Sequence, residues 1–285
     1  MNDRKYGKVY FIGAGPGDPE LLTLKAARIL SEAEVVITDR LVSEAIIRQH
    51  VNAAAIVIPV GKQGRSNAST PQPEINDIIV QFAAAYKKVV RLKGGDVALY
   101  SNVLDELITV NNHGIAYEII PGITALSGAS AYTGVPLTAR GFSVGVRVLT
   151  YYADTIIPDD SWKQLAAFED TLVFYMTGNA LPQLVSNLLN AGADERIPFL
   201  VIEQATTANQ HVQEFTLGGF NNFPVHQEFI SPSLLVMGKV TSLYQQFAWL
   251  PNDNERVPYF KPLQNYPELI SLINTIQQTS HVSRA

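Results

Sequence analysis

The sequence has no cysteine. That excludes disulfides, thiolate nucleophiles, iron–sulfur clusters and cysteine-bound zinc. Charge is sparse as well: Asp, Glu, Lys and Arg make up 16% of 285 residues, and the formal net charge is -5. A non-specific nucleic-acid binder needs a basic face, and this balance gives no sign of one. No apolar run reaches the roughly 18 residues needed to span a membrane. The polar start MNDRKYGKVYF lacks the long apolar core of a signal peptide. The expectation is a cytoplasmic protein with neither a nucleic-acid nor a membrane partner. The histidines at 50, 113, 211, 226 and 281 form no H-x-x-x-H or H-E-x-x-H pattern, so no metal site is expected. The G-x-S-x-G nucleophile elbow and the G-x-x-x-x-G-K-[ST] phosphate loop are missing too.

What is present is a globular chain, 47% hydrophobic, long enough for about two domains. Short β-branched runs at Val9 to Ile12, Val35 to Thr38, Ala54 to Val60, Val89 to Leu92 and Tyr117 to Ile120 alternate with helical patterns. Continuous apolar strands separated by helices predict a buried parallel sheet. Further strands are expected at Val146 to Tyr151, Leu172 to Met176, Phe199 to Glu203, His211 to Thr216 and Leu234 to Met237. The link between Glu203 and His211 leaves no room for a crossover helix, so those two strands should pair antiparallel. The expected organisation is an α/β domain over 7–122, a mixed α/β domain over 123–245, and a tail over 246–285. The tail should carry a short amphipathic helix with Leu269, Leu272, Ile273 and Ile276 on one face.

The first strand runs into a turn with Gly13, Gly15 and Gly17, followed by Asp18-Pro19. Asp18 should cap a helix that starts at Pro19 and presents Leu21, Leu24, Ala27, Ile29 and Leu30 as its apolar face. Such a loop, with Asp39 at the end of the second strand, permits a nicotinamide-dependent oxidoreductase. Its spacing is G-x-G-x-G, however, and the acid on the cap opposes docking a pyrophosphate there. A cationic ligand such as a sulfonium suits it better. A tight turn with no ligand is the remaining reading of the same glycines.

The string GAGPGDPELLTLKAARIL, with DRLVS after it, resembles the tetrapyrrole (porphyrin/corrin) methylase family, nearest to its uroporphyrinogen-III C-methyltransferases. VGK at 60–62, VVRLKGGD at 89–96, PGITA at 121–125, GVPLT at 134–138, VFYM at 173–176 and SPSLLVMGKV at 231–240 follow in family order. The resemblance implies two α/β domains, a parallel N-terminal sheet and a mixed C-terminal sheet, with a cleft between them and a homodimeric assembly. It implies S-adenosyl-L-methionine as donor, held by Pro16, Gly94, Gly95, Asp96, Leu99, Thr124, Ala125, Met176 and Ala205. Asp39 and Lys62 match the family's proposed acid and base positions. Arg40 and Arg140, with Lys62, Arg65 and Lys93, are the candidate cations for a carboxylate-rich tetrapyrrole. The implied activity is methylation of uroporphyrinogen III to precorrin-2, for siroheme or cobalamin. At this length the resemblance leaves no room for the dehydrogenase–chelatase module of fused siroheme synthases, so a separate partner enzyme is expected.

The pattern also departs from the family's. Asn102 stands where an arginine is usual, Gln63 follows Lys62 where a second cation is usual, and Thr138-Ala139-Arg140-Gly141 replaces T-H-R-D. Ala205 falls where relatives often carry glycine. These changes lie on the acceptor side. They leave open a methylase of another acceptor, or a protein that binds the donor without catalysis.

Overall fold

The structure, a computed structural model, describes residues 5–61, 70–152, 154, 157–222 and 228–261. Lys62, Gln63, Arg65 and the helix expected in the tail lie outside the described residues. Those described divide into two compact units. One runs to Thr124 and includes Phe260 and Lys261; the other runs from Ala125 to Tyr259.

The first unit holds strands β1 (Lys8–Gly13), β2 (Val35–Asp39), β3 (Ile56–Val60), β4 (Lys88–Lys93) and β5 (Tyr117–Ile120). Its helices are α1 (Leu24–Ser31), α2 (Glu44–His50), α3 (Gln72–Ala85) and α4 (Val103–Asn112). The strands lie in the order β3-β2-β4-β1-β5, all parallel. Successive side chains of a strand point to opposite faces, and the two faces are covered by different helices. Val9, Phe11, Val35, Ile37 and Val89 pack against Ile75, Ile79 and Phe82 of α3 and Val110 of α4. Ile12, Val36, Val90 and Leu92 pack against Ala26, Ile29 and Leu30 of α1 and Ile46 of α2. Each of the Val, Leu, Ile and Phe side chains among them contributes about 1.5–3 kcal/mol by leaving water. Covering both faces explains why the strands read as unbroken apolar runs.

The segment after the glycine turn differs from the expectation. Asp18 does cap, accepting from the Glu20 N–H at 2.8 Å, but it caps only a single 3₁₀ turn over Pro19–Leu21. Leu22 is extended, and Thr23 starts α1 afresh by accepting from the Ala26 N–H at 3.3 Å. The buried set of α1 is then Ala26, Ile29 and Leu30, at helical spacing. Leu24 falls two positions before that stripe, about 200° around the helix, and it is 91% exposed.

The second unit holds β6 (Val146–Thr150), β7 (Thr171–Tyr175), β8 (Pro198–Glu203), β9 (His211–Thr216) and β10 (Ser233–Met237). Its helices are α5 (Ala125–Thr133), α6 (Asp159–Ala166), α7 (Leu181–Asn190) and α8 (Tyr244–Phe247). The strand order is β6-β7-β10-β8-β9. Strands β6 and β7 are parallel, and the other neighbours, including β8 and β9, are antiparallel. Because β10 is antiparallel to both β7 and β8, those two run the same way. The C-terminal ends of β6, β7 and β8 therefore share one edge. After α8 the chain lies along β9, where the Asn252 side chain bonds the Val212 N–H at 2.8 Å and carbonyl at 2.9 Å. Among the described residues no helix is long and apolar enough to cross a membrane.

Candidate active site

The C-terminal ends of β5, β1, β4 and β2 lie side by side, and each runs into a loop with polar or glycine residues. The loops after β1 and β4 pair through Gly15 and Gly95, whose N–H groups donate to each other's carbonyls at 3.0 and 2.8 Å. Both glycines have positive φ, 77° and 70°, a region that other residues enter at a cost. Gly13 sits so close to its neighbours that a Cβ would lie 2.6 Å from the Gly122 nitrogen and 2.7 Å from the Gly95 oxygen. At Gly94 a Cβ would meet the Leu41 side chain at 2.8 Å. The small residues thus draw four strand ends into one floor. Pro16 is buried within it, and Leu99 and Thr124 are half-buried.

Asp96 ties this floor together. One carboxylate oxygen accepts the Gly122 N–H at 3.0 Å, and the other accepts the Ala98 N–H at 2.7 Å. A carboxylate offers about four acceptor sites, so two remain. Asp18, Asp39 and Asp96 are acids of this edge. They suit a ligand that carries positive charge and approaches backbone closely.

Asp39 closes β2 and is a quarter exposed; its Oδ1 accepts from Nη2 of Arg91 on β4. Arg91 is 2% exposed. Its Nε donates to Glu106 of α4 at 3.0 Å, and its Nη1 donates to the carbonyls of Ile37 and Leu92. Burial works against the guanidinium's charge, but Asp39 and Glu106 outweigh it and hold its pKa above the ordinary value. Lys93 donates to both Glu106 oxygens at 3.0 Å. Burial, helped by the charge of Arg91, pushes its ammonium pKa down. Lys93 is therefore no free cation for a substrate: it is 2% exposed and already paired. Arg40, next to Asp39, is half-buried, and burial lowers its pKa.

The second unit places its site residues on the shared edge of β6, β7 and β8. Met176 follows β7 at φ 63° and is 42% exposed, with the Tyr152 hydroxyl on its sulfur. Ala205 follows β8, half-buried between Gln204 and Thr206, which both have positive φ. The buried Gln204 amide donates to the carbonyls of Asn209 at 3.2 Å and Val257 at 3.0 Å, which locks that turn. Tyr151 is a packing residue, 1% exposed and edge-on to Trp162. Ala125 opens α5. Arg140 is exposed on the turn closed by Ala139 and Ser143. Among the described residues no group of three or more His, Asp or Glu could hold a metal ion.

The residues that sequence reasoning missed are Arg91 and Glu106. A signal was available: an arginine inside a strand buried on both faces must meet a carboxylate.

The family described as Tetrapyrrole (Corrin/Porphyrin) Methylases matches residues 8–220. The chain belongs to this family. A siroheme synthase of Pseudomonas fluorescens (strain Pf0-1) is 41% identical over 243 residues, which are 85% of this chain and 52% of that protein. A siroheme synthase of Psychrobacter cryohalolentis is 38% identical over 246 residues, 86% of this chain and 47% of the other. The chain thus spans about half the length of the curated relatives it matches. The crystal structure of a uroporphyrin-III C-methyl transferase from Thermus thermophilus, complexed with S-adenyl homocysteine, is 35% identical. It superposes with a TM-score of 0.69, covering 83% of this chain and all of that one. A cobalt precorrin-4 methyltransferase structure, 25% identical, gives a TM-score of 0.70 over 82% of this chain and 95% of its own.

Membership in the tetrapyrrole methylases, and the geometry, both tell against the nicotinamide reading. The glycine turn opens into one 3₁₀ turn headed by an acid, not into a helix N-terminus that could dock a pyrophosphate. The family's usual arginine position is Asn102, exposed at the start of α4, with its amide donating to Gln72 at 3.0 Å.

Proposed function

We propose that the chain transfers a methyl group from S-adenosyl-L-methionine to carbon of uroporphyrinogen III, forming precorrin-2 for siroheme or cobalamin synthesis. The observation that carries this reading is the acid-lined glycine floor, where Asp96 fastens the loops after β4 and β5 beside Asp39. Its support from relatives is the Thermus thermophilus methyl transferase, whose bound ligand is the demethylated donor.

The fit to the donor is one of charge and of access. When bound, S-adenosylmethionine supplies an electrophilic methyl on a sulfonium. Pro16, Gly94, Gly95, Asp96, Leu99 and Thr124 supply backbone, acid and apolar contact on the floor of the first unit; Ala125, Met176 and Ala205 are donor contacts in this reading by the family resemblance alone. Holding two reactants in line is the main demand of such a displacement. Asp39 is the base of this reading. It takes the proton that the macrocycle must lose after methylation, and its tie to Arg91 holds it in place. Lys62, outside the described residues, donates or steadies charge. Arg40 and Arg140 hold acceptor carboxylates. The working unit is a cytoplasmic homodimer, which sedimentation of the purified chain would check.

One observation favours a second reading. Asn102 carries no charge where the family's arginine would stand, which removes both charge and fork geometry. Another acceptor, or donor binding without transfer, follows from that. Labelled methyl followed from S-adenosylmethionine into freshly reduced uroporphyrinogen III, without oxygen, decides. Incorporation supports the first reading. Donor binding with no incorporation moves the assignment to the second.

A further inference from the structure

Three charges are buried beneath the floor, and a fourth, that of Asp39, is a quarter exposed at its edge. Arg91 and Lys93 are two residues apart on β4 and so face the same side, toward α4. Both are 2% exposed, and Glu106 on the first turn of α4 is 1% exposed. Glu106 Oε1 accepts from Arg91 Nε and Lys93 Nζ, and Oε2 accepts from Lys93 Nζ, all at 3.0 Å. Arg91 passes the connection on to Asp39 of β2. Two cations thus meet two carboxylates. Burying ions is costly, and well-packed apolar residues often serve a core as well or better. The arrangement asks for a reason beyond packing.

Its position in the chain supplies one. The loop that carries Gly94, Gly95, Asp96 and Leu99 begins directly after Lys93 and ends at Asn102, four residues before Glu106. Glu106 therefore staples the two ends of that loop together from below. The loop itself contains Tyr100 and Asn102 at positive φ, 53° and 54°; for a bulky residue such as Tyr100 that conformation persists only where the surroundings impose it. The α4 start has no side-chain cap of its own. Glu106 ties the first turn of α4 to the end of β4 by hydrogen bonds, beside the apolar packing of Val103 and Leu107.

We infer that Glu106 is a positioning residue: with Lys93 and Arg91 it sets the shape of the loop over 94–102 and joins that loop to the acid Asp39. In its ligand, the inference rests on the donor reading of the same site. Glu106 touches neither ligand nor reacting atoms in this role. It acts through the loop above it and through Arg91.

The test uses the double substitution Lys93→Met with Glu106→Gln in the full chain. It removes one charge of each sign, keeps side-chain volume, and leaves the Arg91–Asp39 pair. Two readouts are compared with the unmodified chain: amide hydrogen exchange, and calorimetric binding of S-adenosylhomocysteine. The expected result is at least tenfold faster exchange across 95–102, with exchange in β1 and β2 unchanged, and at least tenfold weaker binding. Unaltered exchange across 95–102 in a folded double variant overturns the inference and leaves the four charges as core packing. Should the double variant not fold, Glu106→Asp, which keeps the charge and shortens the reach to Lys93 and Arg91, is put through the same exchange comparison and judged by the same outcomes. An unmodified chain that binds no S-adenosylhomocysteine sinks the donor reading instead. The exchange comparison needs no ligand and still decides the role of Glu106.

Discussion

Asp96 accepts the N–H of Gly122 at 3.0 Å, so an acid after β4 holds the backbone after β5. Its other oxygen accepts the Ala98 N–H at 2.7 Å. Hydrogen bonds to a charged group contribute about 1.5–3 kcal/mol each, and partial exposure trims that here. Asp96→Ala should cost about 2 kcal/mol and lower the melting temperature by about 4–8 °C. Asp96→Asn keeps an acceptor for one of the two N–H groups and should fall between. Thermal unfolding of the three proteins checks the order; an Asp96→Ala chain that melts with the unmodified one would show that the loops hold without it.

Gly13 makes a second prediction about the same floor. An added Cβ would lie 2.6 Å from the Gly122 nitrogen and 2.7 Å from the Gly95 carbonyl oxygen. Both obstacles are backbone and cannot rotate away. Overpacking of this kind costs about 1–3 kcal/mol, and here it also separates the loops. Gly13→Ala should lower stability by that amount and weaken S-adenosylhomocysteine binding more than tenfold. Denaturant unfolding and calorimetry read the two effects separately.

A third concerns acid. Glu118 on β5 bonds Lys25 and Lys8, and these two ammonium groups bring its pKa from 4.5 down to about 2. A carboxyl with a depressed folded value contributes stability that is present above its unfolded value. That contribution fades as pH falls from about 4.5 toward 2. Glu118→Gln should therefore flatten the fall in melting temperature across this window and change little only below about pH 2, where the group is protonated in the folded state as well. The pair is exposed, so the effect is small and shrinks in high salt. Melting curves taken every half pH unit at low and high salt would show it.

These sites differ in how far the sequence disclosed them. The strands of the first unit were readable because both faces of a parallel sheet are covered, which leaves unbroken apolar runs such as Val35 to Ile37. The β8–β9 pairing was readable because the link from Glu203 to His211 is too short for a crossover. Asp39 stood out as an acid at the end of the second strand, but its proposed acid–base role came only through the family's motif. Leu24 was misplaced because two caps, Asp18 and Thr23, follow one another, and the apolar stripe belongs to the second. Lys93 was misplaced because a lysine before two glycines resembles a solvated end. Its partner Glu106 is 13 residues away, and only the facing of β4 and α4 brings the two together.

Asn102 leads to a prediction about the acceptor. It holds φ 54°, a conformation that Asn tolerates better than most residues. Asn102→Arg would restore charge and fork at the family's usual position, against a strain of about 1 kcal/mol. If the chain methylates a carboxylate-rich macrocycle, the substitution should lower KM for uroporphyrinogen III several-fold with donor affinity unchanged. A KM that does not move would mean that other cations already hold this acceptor, or that the acceptor is a different molecule.

Asp39 and Arg91 permit the sharpest separation of structure from chemistry. Asp39→Asn keeps an oxygen in place to accept from Arg91 Nη2, so the geometry of the strand end is preserved. It removes the charge, and an amide cannot take a proton. Losing one counter-charge of a fully buried pair costs about 3–5 kcal/mol, but Asp39 is a quarter exposed and Glu106 still faces Arg91. The stability loss should therefore be nearer about 1–2 kcal/mol. General-base catalysis contributes about 10²–10⁴-fold, and turnover should fall within that range while S-adenosylhomocysteine binds as before. An Asp39→Asn chain that turns over within threefold of the unmodified one would remove Asp39 as the base. Its contact with Arg91 would then be purely architectural, and the proton acceptor would have to be sought elsewhere on the site.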